Sequence, residues 1–118
     1  MAKVNTKIIY DKEEDILFLS KERKVQASID IGDFIIDIDK HGFVTGIEIL
    51  NASENLKLSP EQLACLQKAH MAVTYKPNYV YIYLVMLFEK KEKDITIPLT
   101  VDLGHGTVST QKINFAIA

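Results

Sequence analysis

The chain has 118 residues, of which 47% are hydrophobic and 25% are charged, and its formal net charge is −2. This length fits a single domain spanning residues 1–118, and it is enough to bury a core without disulfides or a structural metal. The 14 basic and 16 acidic side chains are interleaved along the chain. No basic stripe is therefore present to neutralise phosphates, and nucleic acid is not expected as a partner.

The sequence also bears on the cellular compartment. Cys65 is the single cysteine, so it cannot form an intramolecular disulfide. The longest apolar run, from Tyr79 to Phe88, is too short to span a bilayer as a helix, and the first residues lack the apolar core of a signal peptide. We therefore expect a cytoplasmic protein that does not bind a membrane.

The first half of the chain predicts a series of short strands. Apolar runs at 7–10 and 16–20 flank a charged turn, which is typical of a hairpin. Further strands are expected at about 25–31, 33–39 and 43–50, because apolar and polar residues alternate there with period two. These five strands predict an antiparallel meander.

A helix is predicted to follow. Ser59 is a favourable N-cap, Pro60 suits the first helical position, and Gln62 completes a capping box. Helical spacing then relates Leu63, Leu66, Ala69 or His70, and Val73, which predicts one buried stripe. We expect one helix over about residues 59–72, with Cys65 inside it as a small buried hydrophobe.

The second half predicts three more strands. The run from Tyr79 to Phe88 is apolar on both faces, as is typical of a central strand that is covered on both sides or of one that a partner subunit covers. Residues 95–101 are its expected hairpin mate, and Pro98 indicates that this mate is an edge strand. Residues 109–117 form the last predicted strand. The fold class is therefore α+β, a mainly antiparallel β meander with one helix packed on the sheet, and the pattern leaves open whether residues 73–118 extend the first sheet or form a second layer.

Two segments of the first half carry a resemblance to a known family. They are Tyr10-Asp11-x-Glu13-x-Asp15-Ile16-Leu17 and, after an Asp-x-x-Gly turn, Gly46-Ile47-Glu48-Ile49-Leu50-Asn51-Ala52-Ser53. Over roughly residues 7–55 the chain resembles the domain of unknown function 2283 family, which comprises small prokaryotic proteins with no established activity. The resemblance implies a fold for the front half and supplies no catalytic residue. Some members are suspected of acting as antitoxin-like partners, which points to protein binding.

Carboxylates provide the main candidates for chemistry. Asp37 and Asp39 share one face of a predicted strand, and Glu48 is expected opposite them. Such a group can serve as general acid and base or as metal ligands. The alternation of an exposed hairpin already explains these polar residues, however, and Asp is favoured in turns such as the one containing Asp39. The histidines match no metal-binding motif: His41, His70 and His105.

The tyrosine-rich strand provides the candidate interface. Its shared face carries Tyr79, Tyr81, Tyr83, Val85 and Leu87. Tyrosine is enriched at protein–protein contacts, where it tolerates a partly wet position. The leading hypothesis is a non-enzymatic protein-interaction module that forms a homodimer or binds another small protein, with no cofactor and no metal. The alternative is a metal-dependent or acid–base enzyme that uses Asp37, Asp39 and Glu48.

Overall fold

The computed structural model describes residues 6–21 and 25–117. Over these residues the chain forms nine strands and two short helices. The strands are β1 (Lys7–Asp11), β2 (Ile16–Ser20), β3 (Ala27–Ile31), β4 (Phe34–Ile38), β5 (Val44–Ile49), β6 (Lys68–Lys76), β7 (Tyr79–Leu87), β8 (Glu92–Leu99) and β9 (Ser109–Ala116). The helices are α1 (Ala52–Leu56) and α2 (Pro60–Leu63). Within the described part of the chain, no helix is long and apolar enough to cross a membrane.

All nine strands belong to one sheet, in the order β3-β4-β5-β2-β1-β9-β6-β7-β8. Neighbouring strands are antiparallel except β1 and β9, which run parallel and, within residues 6–21 and 25–117, pair through Lys7 and Ala116 alone. The strands of the second half therefore extend the first sheet and do not form a second layer. Strand β8 lies at one edge of the sheet, as Pro98 predicts.

The predicted fold class, an α+β meander with one helix over 59–72, is wrong. More than half of the described residues are in strands, and the sheet is mixed and curled. The strand order of the first half also differs from a meander, because β5 lies between β4 and β2.

The predicted helix begins as expected but ends after one turn. The Ser59 N–H donates to Gln62 Oε1 at 2.9 Å and the Gln62 N–H donates to Ser59 Oγ at 3.1 Å, so the capping box is present. The helix stops at Leu63, and Cys65, predicted to be buried within it, is exposed. Residues 68–76 form β6, whose buried side chains recur at every second position: Ala69, Met71, Val73 and Tyr75. Val73, Thr74 and Tyr75 favour a strand over a helix.

One face of the sheet carries the core. Its buried side chains and those of the helices form a single hydrophobic cluster that spans both halves of the chain. Examples are Leu17, Leu19, Ile47 and Ile49 from the first half, Val73, Ile82, Leu84 and Phe115 from the second, and Leu56 and Leu63 from the helices. The two halves therefore share one core.

A buried hydrogen bond shows how strongly the sheet curls. The Val44 N–H on β5 donates to the hydroxyl oxygen of Tyr75 on β6 at 2.7 Å. Three strands separate β5 from β6 in the sheet order, which corresponds to about 19 Å along a flat sheet. A tyrosine side chain cannot reach that far, so the sheet bends around the core and brings the two strands together.

The Tyr75 side chain is fully buried. The hydroxyl accepts from Val44 and donates to Gln111 Oε1, so both of its polar functions are satisfied. Burial raises the pKa of the Tyr75 phenol to about 12, although the Val44 N–H opposes the shift. The phenol therefore stays protonated and remains a donor across the pH range in which the protein is handled.

A second contact between the halves lies beside this bond. Gly42 has a φ of +78°, and a Cβ there would lie 2.4 Å from the Leu103 carbonyl oxygen. His105 Nε2 lies 2.9 Å from the Gly42 carbonyl oxygen. The Phe43 ring contacts the rings of Tyr75 and His105, with centroids 5.4 and 4.8 Å away. The loop that precedes β9 is thus packed on the turn that precedes β5.

The Tyr75 bond predicts a stability loss for Tyr75→Phe of about 1–3 kcal/mol, because the change leaves the buried Val44 N–H without an acceptor. Urea unfolding at neutral pH measures this loss. Tyr81→Phe is the matched control, since its ring is exposed, and it should shift stability by less than about 0.5 kcal/mol. Equal midpoints for the two variants would contradict the role assigned to Tyr75.

The close pairing of β2 and β5 predicts that Gly46→Ala is destabilising. A Cβ at Gly46 would lie 2.7 Å from the Leu19 carbonyl oxygen and 3.3 Å from Ser20 Cα, so backbone has to move. We expect a loss of about 1–3 kcal/mol in urea unfolding. Gly106→Ala is the control, because a Cβ there meets nothing within 4 Å. If both variants unfold at the same urea concentration, the close approach of Gly46 to the β2 backbone does not contribute to stability.

Candidate functional site

The face of the sheet opposite the core carries most of the predicted site residues, and we call it the outer face. Its part on β1 to β5 combines apolar and acidic side chains. Pairing registers place five residues in one row across this part: Asp30, Ile35, Glu48, Phe18 and Ile9. Ile9 is 53% exposed.

The structure brings two of the three predicted carboxylates to this face. Asp37 and Glu48 lie on neighbouring strands, and Asp37 Oδ1 accepts from the Ser28 hydroxyl at 2.6 Å. Partial burial raises the pKa of Glu48, and repulsion from Asp37 and Asp30 raises it further. This arrangement produces a carboxyl that holds its proton more tightly than an isolated glutamate does.

The third carboxylate, that of Asp39, has a different role. Asp39 Oδ1 accepts from the His41 N–H at 2.8 Å and from the Phe43 N–H at 3.0 Å, so it stabilises the turn between β4 and β5. Among residues 6–21 and 25–117, no group of three or more His, Cys, Asp or Glu side chains is placed to hold a metal ion. Catalysis by Asp37, Asp39 and Glu48 stays a hypothesis.

Residues that carry the family resemblance meet in a small network around Asp15. The Tyr10 hydroxyl donates to Asp15 Oδ1 at 2.6 Å, and the N–H and hydroxyl of Ser53 donate to the same carboxylate at 3.0 and 2.6 Å. Asn51, the N-cap residue of α1, makes no side-chain capping bond. Asp15 therefore caps α1 from a different part of the chain, which is a structural role for this motif.

This network shifts two pKa values in opposite directions. Burial opposes ionisation of Asp15, but its hydrogen bonds from Ser53 and Tyr10 outweigh that effect and lower its pKa. Burial and the neighbouring Asp15 raise the pKa of the Tyr10 phenol. The network is therefore held by a carboxylate that is ionised at neutral pH and a phenol that is not.

The outer face of β6 to β9 carries the predicted interface, and we call it the tyrosine face. It comprises the outward residues of these four strands, with Tyr81 and Tyr83 on β7 paired with Thr74 and Ala72 on β6. Tyr81 is 38% exposed and Tyr83 is 44% exposed, whereas Ile82 between them is fully buried. The core covers one face of β7, and the opposite face is open in the single chain.

Polar contacts hold the tyrosines in place. The Tyr83 hydroxyl donates to Asp94 Oδ2 at 2.9 Å, and this bond raises the pKa of the Tyr83 phenol. Lys76 Nζ lies 5.3 Å from the centroid of the Tyr81 ring, and the Tyr79 and Tyr81 rings pack edge to face at 4.6 Å. Side chains that are already ordered lose less conformational freedom when a partner covers them.

A shallow hollow lies beside Tyr83, above the small side chain of Ala72. Lys112, His70 and Asn114 surround it, and His70 Nδ1 is hydrogen bonded to Asn114 Oδ1. The sequence pattern did not predict this hollow, because the helix predicted over 59–72 covered part of β6. The period-two alternation of residues 69–75 was the signal that could have revealed it.

The raised pKa of Glu48 predicts a pH-dependent stability effect. The native state binds the Glu48 proton more readily than the unfolded chain does. The contribution of protonated Glu48 to the free energy of unfolding is therefore fully present below the unfolded pKa of about 4.3. It is lost as pH rises through the folded pKa. Glu48→Gln should therefore raise the urea midpoint at pH 7, with a gain that shrinks toward pH 4. Glu13→Gln, in the exposed turn between β1 and β2, is the control. A gain that is equal at both pH values would contradict this assignment.

Known proteins match the two halves of the chain to different extents. Residues 7–53 match the family described as "Protein of unknown function (DUF2283)", which confirms the resemblance seen in the sequence. An uncharacterized protein of Methanocaldococcus jannaschii is 48% identical over 52 residues, which cover 43% of this chain and 45% of that protein.

A second relative extends through both halves. It is a protein of Methanosarcina mazei named "Putative hypoxanthine phosphoribosyltransferase", 29% identical over 114 residues that cover 96% of this chain and 88% of that protein. No solved structure matches this chain. The family resemblance is therefore confined to the part that contains β1 to β5, and the tyrosine face lies outside it.

Proposed function

We propose that this chain is a non-enzymatic protein-interaction module whose contact surface is the tyrosine face. The observation that carries the proposal is the exposure of Tyr81 and Tyr83 on β7, a strand whose opposite face is fully buried in the core. Tyrosine contributes large contact area with few rotatable bonds, and it is over-represented among the residues that dominate binding energy.

The shape of the surface supports a protein partner. The four strands present a continuous face whose centre contains Ala72, Tyr83 and Val85, with charged residues toward its rim. An apolar centre with a polar rim is the usual anatomy of a protein–protein interface. Another sheet packs well on such a face, at a distance of about 10 Å.

For the activity named for the Methanosarcina relative, the described residues contain no glycine-rich loop that leads into a helix. A phosphoribosyl group carries a phosphate, and proteins often bind phosphate with a glycine-rich loop that leads into a helix N-terminus. Among the described residues, Gly104-His105-Gly106 leads into strand β9, and His105 contacts the Gly42 carbonyl oxygen. We therefore do not extend that activity to this chain.

The alternative function is a metal-dependent or acid–base enzyme, and the raised pKa of Glu48 beside Asp37 is the observation in its favour. Thermal unfolding with and without divalent cations tests it, because a cation bound by the native state raises the unfolding temperature. Our proposal expects no shift. A shift that disappears in Asp37→Asn would favour the enzyme.

The proposed function predicts that the tyrosine face is required for partner capture. Tagged wild-type protein should recover a protein partner, a copy of itself or another chain, from an extract of its native host. A variant with Tyr81→Ser and Tyr83→Ser should lose it, because the apolar contact area is removed. Quantitative mass spectrometry measures the recovery.

Lys40→Ser is the control for this experiment, since Lys40 is exposed in the turn between β4 and β5 and is not one of the outward residues of β6 to β9 that form the tyrosine face. It should recover as much partner as the wild type. Circular dichroism checks that all variants are folded. Recovery of no protein, or equal recovery by the double variant and the wild type, would contradict the proposal.

A further inference from the structure

We infer that the partner of the tyrosine face is a second copy of this chain, packed face to face about a two-fold axis that runs parallel to the strands. The inference rests on the proposed function and adds the identity and the orientation of the partner. Charge, shape and area each support it.

The charges on the tyrosine face are divided between its two sides. Three lysines point outward on β6 and β9, and two acidic residues point outward on β8: Lys68, Lys76, Lys112, Glu92 and Asp94. All five are exposed. The face is therefore basic along one side and acidic along the other, with the tyrosines of β7 between them.

This division selects one orientation for a symmetric dimer. A two-fold axis along the strands places β9 of one copy over β8 of the other and β6 over β7, so the basic side meets the acidic side. A two-fold axis across the strands places β9 over β9 and brings lysines onto lysines. Like-charge contacts at an interface are unfavourable by several kcal/mol, so the first orientation is favoured.

The same axis also matches the shapes of the two surfaces. Tyr83 and Ala72 are directly paired on adjacent strands. Exchange of β6 with β7 places Tyr83 of each copy over the hollow above Ala72 of the other. The strand directions of the two sheets stay aligned, which is the common arrangement of packed sheets, at about −30°.

The available area is sufficient for a dimer of modest affinity. Four strands spaced about 4.8 Å apart and about nine residues long give a face of at most about 500 Å² per copy, because the curl of the sheet turns its outer strands away from a partner. The pair would bury at most about 1,000 Å², near the lower limit for specific interfaces. We therefore expect a dimer that dissociates on dilution, with an equilibrium that weakens as salt is added.

Mutations that reverse the charge of one residue at a time test the dimer and its orientation together. Lys68 and Glu92 lie in one cross-strand row, so the axis brings Lys68 of each copy near Glu92 of the other. Lys68→Glu alone and Glu92→Lys alone should each be monomeric, because two attractive contacts become repulsive. An equimolar mixture of the two variants should form heterodimers, because both contacts are then attractive again.

Sedimentation equilibrium of the full chain over a concentration series measures these states. Lys40→Glu makes the same charge change outside the tyrosine face and should dimerise as the wild type does. Restoration of the dimer by mixing also shows that each variant is folded, since unfolded chains would not pair.

Two results would overturn the inference. One is a wild-type monomer throughout the series, and the other is a dimer that neither charge variant disrupts or that mixing does not restore. A wild-type monomer that still captures a different protein through Tyr81 and Tyr83 would overturn only the identity of the partner. Loss of both self-association and tyrosine-dependent capture would overturn the proposed function as well.

Discussion

The hydrogen bond between the Val44 N–H and the Tyr75 hydroxyl links two strands that lie far apart in the sheet order. It forms because the sheet curls around a common core, and the packing of Phe43 against Tyr75 and His105 reinforces it. Since the inner face is closed in this way, the exposed side chains of the strands are mainly those of the outer face. The position of the tyrosine face therefore follows from the closure of the core.

Much of the local structure could be predicted from the sequence, because it depends on near neighbours. The alternation of apolar and polar residues predicted the strands of the first half. It also separated the residues of β7 into two faces, and Pro98 indicated that β8 is an edge strand. The helix over 59–72 failed because a capping box determines where a helix begins and not how long it is. Ala69 and Val73 fit both a helical stripe and a period-two pattern, and only tertiary pairing with β7 and β9 decides between them. The order of strands from the two halves depends on contacts that no local pattern encodes.

The candidate site was predictable to a similar extent. Strand alternation placed Asp37 and Glu48 on one face and grouped the tyrosines, but it did not show that Asp39 stabilises a turn through two backbone N–H groups. The meaning of the family motif also required the structure. Asp15 and Ser53 are distant in sequence, and their hydrogen bonds show that this motif joins the start of α1 to the turn before β2.

Among the residues that the structure describes, the parallel pairing of β1 and β9 consists of one residue pair, Lys7 and Ala116. Backbone hydrogen bonding is therefore continuous within each half of the sheet and almost interrupted between them. We call the β1–β9 boundary the seam. Cooperative unfolding of the two halves across it depends on the shared core and on the contacts of Tyr75 and His105, because one residue pair supplies few backbone hydrogen bonds. Local opening at the seam leaves both ladders intact and so needs less free energy than opening within either half. We therefore expect amide exchange over the described residues to show two protected ladders separated by a short boundary that exchanges faster.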